Sequence, residues 1–414
     1  MQKSGWTLVT LACLWAVASG IGHGETRYAQ WQKTRPFIQS AWYTSVVSAP
    51  DGTQGPPPSL PPQWPLPNME LYRRSGLNLV SDVSGFRAKW EGKPGEGYPA
   101  IARAQAAGVP YFITPYAEMP LETLERFVGH LANDPRWSGL AGVYLKDEPS
   151  PDKGDDWRWL SKARPFIAER WPHLLLFVSH ASGSPSGMSP HLRWIHEKMA
   201  EDLKPDVIVH QSYPFHWGTA GRAMAIWYPL MDYYGEWHKK HGIGYWGMPE
   251  TYSMKPRLSE SALRLNKFAA LAYGVQGFID WGYDMYHYDE PIFGDADNEM
   301  QYVKIVKGPD GTLKEVPTKT FGTHAQINRE VANIAKSLIR LRHVRTYHVD
   351  AVPTFHSLGP EIAYDAPKLY PIWAPDRYYD LFQCPVHRFM EKDDLRTGKL
   401  LNVYGTSSPF VGAE

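Results

Sequence analysis

Residues 140–149 form an unusual junction. An apolar run, Leu140-Ala141-Gly142-Val143-Tyr144-Leu145, passes directly into Lys146, Asp147 and Glu148, and Pro149 then stops an ordinary strand ladder from continuing. Two carboxyls and an ammonium group at the end of a buried strand are equipped for acid–base chemistry. A solvated strand end would read the same way. The construction recurs along the chain. Apolar runs end in Trp42 and Tyr43, in Asp82, in Tyr116 and Glu118, in His180, in His210 with Gln211 and Tyr213, in Trp246 with Glu250, and in Asp280 with Trp281, Tyr283 and Asp284. Carboxylates and imidazoles move protons, and flat aromatics grip neutral polar rings. Exposed loops also collect polar residues by default, which accounts for some of this set.

The histidines raise the question of a metal. His180, His210, His216 and His287 are candidates to meet, as a metal-dependent barrel hydrolase would require. Such sites favour closely spaced histidines on one strand, and no H-x-H or H-x-x-x-H stands at a strand end here. The expectation is hydrogen-bonding histidines, with no metal and no cofactor.

The elements that position these residues follow from periodicity. Strand-length apolar runs fall at Phe37–Tyr43, Leu77–Val83, Val109–Thr114, Leu140–Leu145, Leu174–Ser179, Asp206–His210, Gly242–Gly247 and Gly277–Trp281. Helical spacing appears between them: Leu121, Leu124, Phe127, Val128 and Leu131 behind Pro120, then Trp157–Trp171, His191–Leu203, Ala223–Lys240, Ser259–Tyr273 and a long final helix His324–His348. Gly76, Gly108, Gly242 and Gly274 stand where helices should stop. Strands alternating with helices imply an α/β fold with a parallel sheet, and eight repeats close a (β/α)8 TIM barrel over residues 36–348. The rival, an open doubly wound sheet, is weakened because no G-x-G-x-x-G follows an early strand. Two insertions would decorate the C-terminal face: a stiff proline-rich loop, Pro50–Pro67, and a hairpin within Met300–Thr320 formed by Val303–Val306 and Leu313–Val316. Residues 349–414 lack barrel periodicity and read as a short C-terminal extension, either a wrapping segment or the start of a β-domain.

Bulk composition narrows the partners. The 43 basic and 43 acidic residues balance, so no general attraction to nucleic acid or an anionic membrane surface is expected. Seventeen Trp and 24 Tyr suit a surface that binds sugar rings, although aromatics mostly fill cores. Lys3, the apolar stretch Trp6–Val17 and the small residues Ala18, Ser19 and Gly20 read as a secretory signal within residues 1–24, too short for a membrane span. Its removal leaves Cys384 as the sole cysteine, so an intrachain disulfide is excluded for the mature chain.

Glu148 after the fourth strand and Glu250 after the seventh resemble the arrangement in glycoside hydrolase clan A, whose (β/α)8 barrels carry an acid/base Glu and a nucleophile Glu at those two places. The usual Asn-Glu-Pro reads Asp147-Glu148-Pro149 here. The run Gly277-Phe278-Ile279-Asp280-Trp281 resembles the clan's strand with a sugar-platform Trp. Leu341-Arg342-His343-Val344-Arg345-Thr346-Tyr347-His348 looks like the passage into a trailing β-sandwich in β-galactosidase-like members. The resemblance covers residues 36–348 in layout more than in letters.

It implies a retaining glycosidase acting on a carbohydrate substrate, with Glu148 as acid/base and Glu250 as nucleophile; the N-terminal signal reading adds that it is secreted or periplasmic. Retention needs the two carboxyls about 5–5.5 Å apart. Substrate contacts are then expected from Trp42, Tyr43, Asp82, Tyr116, Asp147, His180, His210, Gln211, Tyr213, Trp246, Asp280 and Trp281. Tyr144 and Trp246 would raise the acid's pKa, and Tyr213 would orient the nucleophile. Asp147 departs from the pattern. A carboxylate does not donate to a sugar hydroxyl unless protonated, and Lys146 is placed to pair with it. A non-catalytic glycan-binding barrel therefore stays open, and a metal-dependent hydrolase ranks below it. Glu250 has a plainer reading as a helix-start carboxylate, and Trp281 as a plug of the barrel.

Overall fold

The computed structural model describes residues 25–43, 68–82, 99–115, 119–181, 190–213, 220–251, 258–284, 301–310, 312–341, 343 and 346. The signal reading, the Pro50–Pro67 loop, Tyr116, Glu118, His216, His287 and residues 349–414 lie outside them. Tyr43 and Asp82 are described as backbone only.

Alternation of strand and helix gives the expected order. The chain runs α1 (Arg27–Lys33), β1 (Ile38–Tyr43), α2 (Met69–Arg74), β2 (Val80–Asp82), α3 (Pro99–Ala106), β3 (Tyr111–Ile113), α4 (Leu121–Ala132) and β4 (Leu140–Asp147). It continues with α5 (Gly154–Arg170), β5 (Leu175–Ala181), α6 (Pro190–Lys198), β6 (Val207–Gln211), α7 (Ala220–His241), β7 (Gly244–Met248), α8 (Glu260–Ala272) and β8 (Gly277–Asp284). A hairpin, β9 (Val303–Lys307) and β10 (Leu313–Pro317), precedes α9 (Phe321–Leu338).

Each of the first eight strands pairs in parallel with the next, and β1 also pairs with β8, from Ile38↔Gly277 to Ala41↔Asp280. That pairing closes the sheet, which makes the fold a (β/α)8 barrel. Beyond it, β9 extends β8 at Asp284↔Val303 and pairs antiparallel with β10, as the hairpin pattern predicts.

Period-2 alternation sorts the strand residues into two cores. Leu79, Phe112, Phe177, Val209, Trp246 and Ile279 fill the barrel interior with their neighbours. Ile113, Val143, Leu176, Val178 and Ile208 face outward onto the helices, which return apolar stripes such as Leu124, Phe127, Val128 and Leu131 of α4. Close approach is tight where the layers meet. A Cβ on Gly277 would come within 2.7 Å of the Trp246 indole, so this strand start accepts no side chain.

One interior feature has no counterpart in the strand count. Helix α1, capped by Thr26 accepting from Ala29 N–H, lies across the strand starts. Trp31 Nε1 donates to the Ala141 carbonyl at 3.0 Å, and Trp246 Nε1 donates to the Tyr28 hydroxyl at 3.0 Å. Arg27 pairs with buried Asp206 at 3.1 Å. The N-terminal end of the barrel is therefore stoppered.

The expected long helix His324–His348 stops at Leu338. Its last turn tightens into i→i+3 bonds, Arg340 N–H to Ser337 O and Leu341 N–H to Leu338 O. The chain then turns back so that His343 covers Gly274, and the Thr346 hydroxyl donates to the Ala272 carbonyl at 2.9 Å. Gly274, at φ +84°, ends α8 in a left-handed conformation that costs other residues strain, and a Cβ there would also strike the His343 ring.

Candidate functional site at the C-terminal ends of the strands

The junction at residues 140–149 is built by a β-bulge. Tyr144 pairs with Phe177, yet the next registered pairs are Lys146↔Val178 and Asp147↔Ser179, so β4 carries one extra residue. Strict alternation from Tyr144 would aim Lys146 and Glu148 inward. The bulge aims Asp147 inward instead and leaves Lys146 outside, where its Nζ lies 2.9 Å from Asp156 of α5. The expected pairing of Lys146 with Asp147 is thus replaced by one with α5.

Inside the mouth, Asp147 is held by uncharged groups. Its Oδ1 accepts from Ser179 Oγ at 2.5 Å and from Gln211 Nε2 at 2.6 Å. Behind Ser179 stands the Tyr144 hydroxyl, 2.5 Å from the same Oγ. Burial, followed by the charge of Asp147, pushes the Tyr144 phenol well above its ordinary pKa, so it remains a neutral donor.

Glu148 follows at φ +44°, one of two described non-glycine residues in the left-handed region. A strained residue of this kind is more often kept by function than by folding. Its N–H donates to the Ser179 carbonyl at 3.0 Å. Lost hydration raises its pKa first, the adjacent Asp147 charge raises it further, and Lys153 opposes both. The residue as a whole is solvent-exposed, so water screens these terms.

Glu250 comes from the other side of the barrel. It is 1% exposed, and a parallel bridge sets it level with Trp281, so both side chains rise from the inner face above Met248. Trp281 N–H donates to the Pro249 carbonyl at 2.8 Å, and the Thr251 hydroxyl donates to the carbonyls of Trp281 and Gly282. These bonds lock the end of β7 to β8.

Closure between β1 and β8 brings the Trp42 and Trp281 rings to 5.7 Å, as their strand positions predict. Trp42 is buried and packs edge-on against Tyr144 at 5.2 Å. Trp281 and Tyr213 are half-buried, 5.9 Å apart, and Tyr213 donates its hydroxyl to Met248 Sδ at 2.9 Å. Of the two tryptophans, Trp281 is the more exposed, and Trp42 packs against it.

Four expected substrate contacts face elsewhere. Trp246 is wholly buried beneath the mouth, among Tyr28, Trp31, Phe112 and Phe177, because its strand position lies two layers below Glu250. His180 and His210 fall on the outward phase of β5 and β6. They join His196 and His238 in a buried chain of rings, at 4.9 Å (His180–His196), 5.4 Å (His196–His210) and 5.1 Å (His210–His238), with a 2.8 Å His210 Nε2···His238 Nε2 contact. Loss of hydration lowers their pKa values, to about 4 for His180 and about 3 for His238. Asp280 also points outward, where it is buried with Lys267 Nζ at 2.7 Å and accepts from the Tyr302 hydroxyl. For His180, His210 and Asp280 the outward phase of the strand decides the direction, and for Trp246 its depth in the barrel does; proximity to a strand end reveals neither.

Ser179 and Tyr144 were not among the expected contacts. The registry of β4 on β5 brings both beside Asp147, and that registry is not written in the sequence.

No family model matches the chain, and no curated protein matches it. The solved structures to which it is similar include the following. The β-galactosidase of the psychrophilic Marinomonas ef1 is 12% identical with a TM-score of 0.48 over 80% of this chain and 65% of that one. A Bacteroides thetaiotaomicron structure, provisionally assigned as an α-L-fucosidase, is 11% identical with a TM-score of 0.46 over 72% and 94%. The glucosidase of Croceicoccus marinus is 14% identical with a TM-score of 0.42 over 71% and 67%. The fold is a (β/α)8 barrel. Closure of β1 on β8 decides that.

Proposed function

We propose that the chain is a secreted retaining glycoside hydrolase that cleaves oligo- or polysaccharides, with Glu148 as acid/base and Glu250 as nucleophile. The observation that carries this reading is the position of the two carboxylates. Glu148 follows β4 and Glu250 follows β7, at the same end of one closed barrel and on opposite arcs of it. A raised pKa suits the group that must begin the cycle protonated. Burial beside Trp281 suits a carboxylate that attacks a sugar seated on an indole.

In the reaction, Glu148 gives its proton to the leaving oxygen as a Glu250 oxygen attacks the anomeric carbon. The C–O bond to the leaving group breaks and a glycosyl ester forms. Glu148, now a carboxylate, takes a proton from water whose oxygen attacks the same carbon and frees Glu250. Secretion rests on Lys3 and the apolar stretch Trp6–Val17.

The test is hydrolysis of a panel of aryl glycosides, with product stereochemistry read by NMR; retention is the expected outcome. Glu148→Gln should lose turnover of substrates with poor leaving groups and keep that of activated aryl glycosides. Azide should restore turnover to Glu250→Ala. Wild-type rates in both variants would remove the assignment.

A further inference from the structure

We infer that Thr251 is a positioning residue, whose hydroxyl fixes where the Trp281 ring stands relative to the Glu250 carboxyl. The inference rests on the glycosidase reading above and deepens it, because a sugar seated on Trp281 meets Glu250 only if the two strand ends keep one register.

Three observations carry it. The first is a slack stretch of β8 on its β1 side. Ala41 pairs with Asp280, yet the next registered pair is Tyr43↔Asp284, so β8 advances four positions while β1 advances two. Trp281 lies inside that bulge, and Gly282 behind it stands at φ +97°, off the extended backbone of a strand. Register with β1 therefore does not fix the ring.

The second is an interruption on the β7 side. The Gly247↔Phe278 pair and the Glu250↔Trp281 bridge share one register, three residues apart on each strand. Between them stands Pro249, which has no N–H to give to the ladder. Backbone bonding resumes with Trp281 N–H to the Pro249 carbonyl at 2.8 Å and a longer bond, 3.3 Å, from Thr251 N–H to the Trp281 carbonyl.

The third is what the Thr251 side chain adds at this height. It is buried, and its hydroxyl donates to the Trp281 carbonyl and to the Gly282 carbonyl, the latter at 2.9 Å. One proton is shared between the two acceptors. Those carbonyls flank the Gly282 α-carbon, the point at which β8 leaves its extended path. The hydroxyl thus pins the bulge on both sides of its turn, directly behind Trp281. Glu250 is one peptide link away from the same residue, so a single side chain ties the nucleophile to the platform. A displacement on the order of 1 Å between reacting groups can cost about 100-fold in rate, which gives the tie a chemical purpose.

The test uses the full chain. Thr251→Val keeps the branched shape and removes the hydroxyl, and Thr251→Ser keeps the hydroxyl. Thr251→Ala replaces the valine variant if its methyl group, set against two carbonyls, prevents folding. One readout is the indole N–H resonance of Trp281 in 1H–15N spectra, identified by its loss in Trp281→Phe. The other is kcat and KM on an aryl glycoside, referred to the folded fraction. Without the hydroxyl, the expected result is a displaced indole resonance and a kcat lowered by up to about 100-fold, with KM little changed because the ring still binds the sugar. Thr251→Ser should keep the wild-type resonance and most of kcat. An indole resonance unmoved by loss of the hydroxyl overturns the inference, and so does an equal loss in Thr251→Ser. A fall in stability with kcat of the folded fraction unchanged would make Thr251 merely structural and overturn it as well. A displaced resonance in a protein that hydrolyses no glycoside, wild type included, would support the tie and sink the glycosidase reading alone.

Discussion

At the scale of residues, the proposed function would divide the mouth into a side chain that meets substrate and one that supports it, and exposure separates the two. Trp281 is half-buried against Trp42 and Tyr213, whereas Trp42 is 3% exposed and wedged between Tyr144 and Trp281. Truncating them should therefore have opposite signatures. Trp281→Ala should raise KM for a glycoside strongly while the melting temperature changes little, since a ring with one face in water contributes little to folding. Trp42→Ala should cost about 3–5 kcal/mol of stability, the usual penalty for removing a buried aromatic. Measuring melting temperature and KM on both variants checks the division. A large stability loss in Trp281→Ala with KM unchanged would make that ring a plug, and the platform would be lost.

At the scale of elements, strand phase governs both what the site contains and what it lacks. The outward phase of β5 and β6 buries His180 and His210 with His196 and His238 against α6 and α7. Burial lowers all four pKa values in the folded chain, whereas an unfolded histidine titrates near about 6.5. The unfolded state then binds more protons below that pH, so stability is full above it and falls as pH drops towards the folded values of about 4 and about 3. Urea unfolding at pH 7.5, 6.5, 5.5 and 4.5 should show this loss, and His196→Phe should flatten it. A slope unchanged by that variant would place the acid sensitivity elsewhere. The same phase explains what the sequence makes legible. Eight apolar runs and their helices were readable because period 2 and period 3.6 are written in the residue types, and Glu148 and Glu250 could be named from strand ends. Whether His210 or Asp280 faced the mouth was not readable, because direction depends on registry between strands distant in sequence. The bulge in β4 was hidden for the same reason: it exists only relative to β5.

At the scale of the whole molecule, the barrel has two ends with different duties. Its C-terminal end holds Glu148 at φ +44° and the half-buried Trp281. The opposite end is closed by a helix. There α1 lays Tyr28 and Trp31 over the strand starts, and its bonds reach Ala141 of β4 and Trp246 of β7, the strands that lead to Glu148 and Glu250. Arg27 adds Asp206, at the foot of β6, together with the Leu174 carbonyl at 2.7 Å. The stopper thus ties together the strands whose far ends must stay in register for the two carboxyls to cooperate. Trp31→Ala should lower stability by about 3–5 kcal/mol by opening a cavity beneath the barrel. Tyr28→Phe leaves the shape intact but strands the buried Trp246 N–H, a loss of about 1–3 kcal/mol. Neither residue approaches the mouth, so the KM of the folded fraction should stay at the wild-type value in both. Denaturant midpoints and steady-state kinetics on the two variants separate the ends of the barrel. A Tyr28→Phe enzyme with normal stability but altered KM would mean that the two ends are coupled through Trp246, and the division of duties would fail.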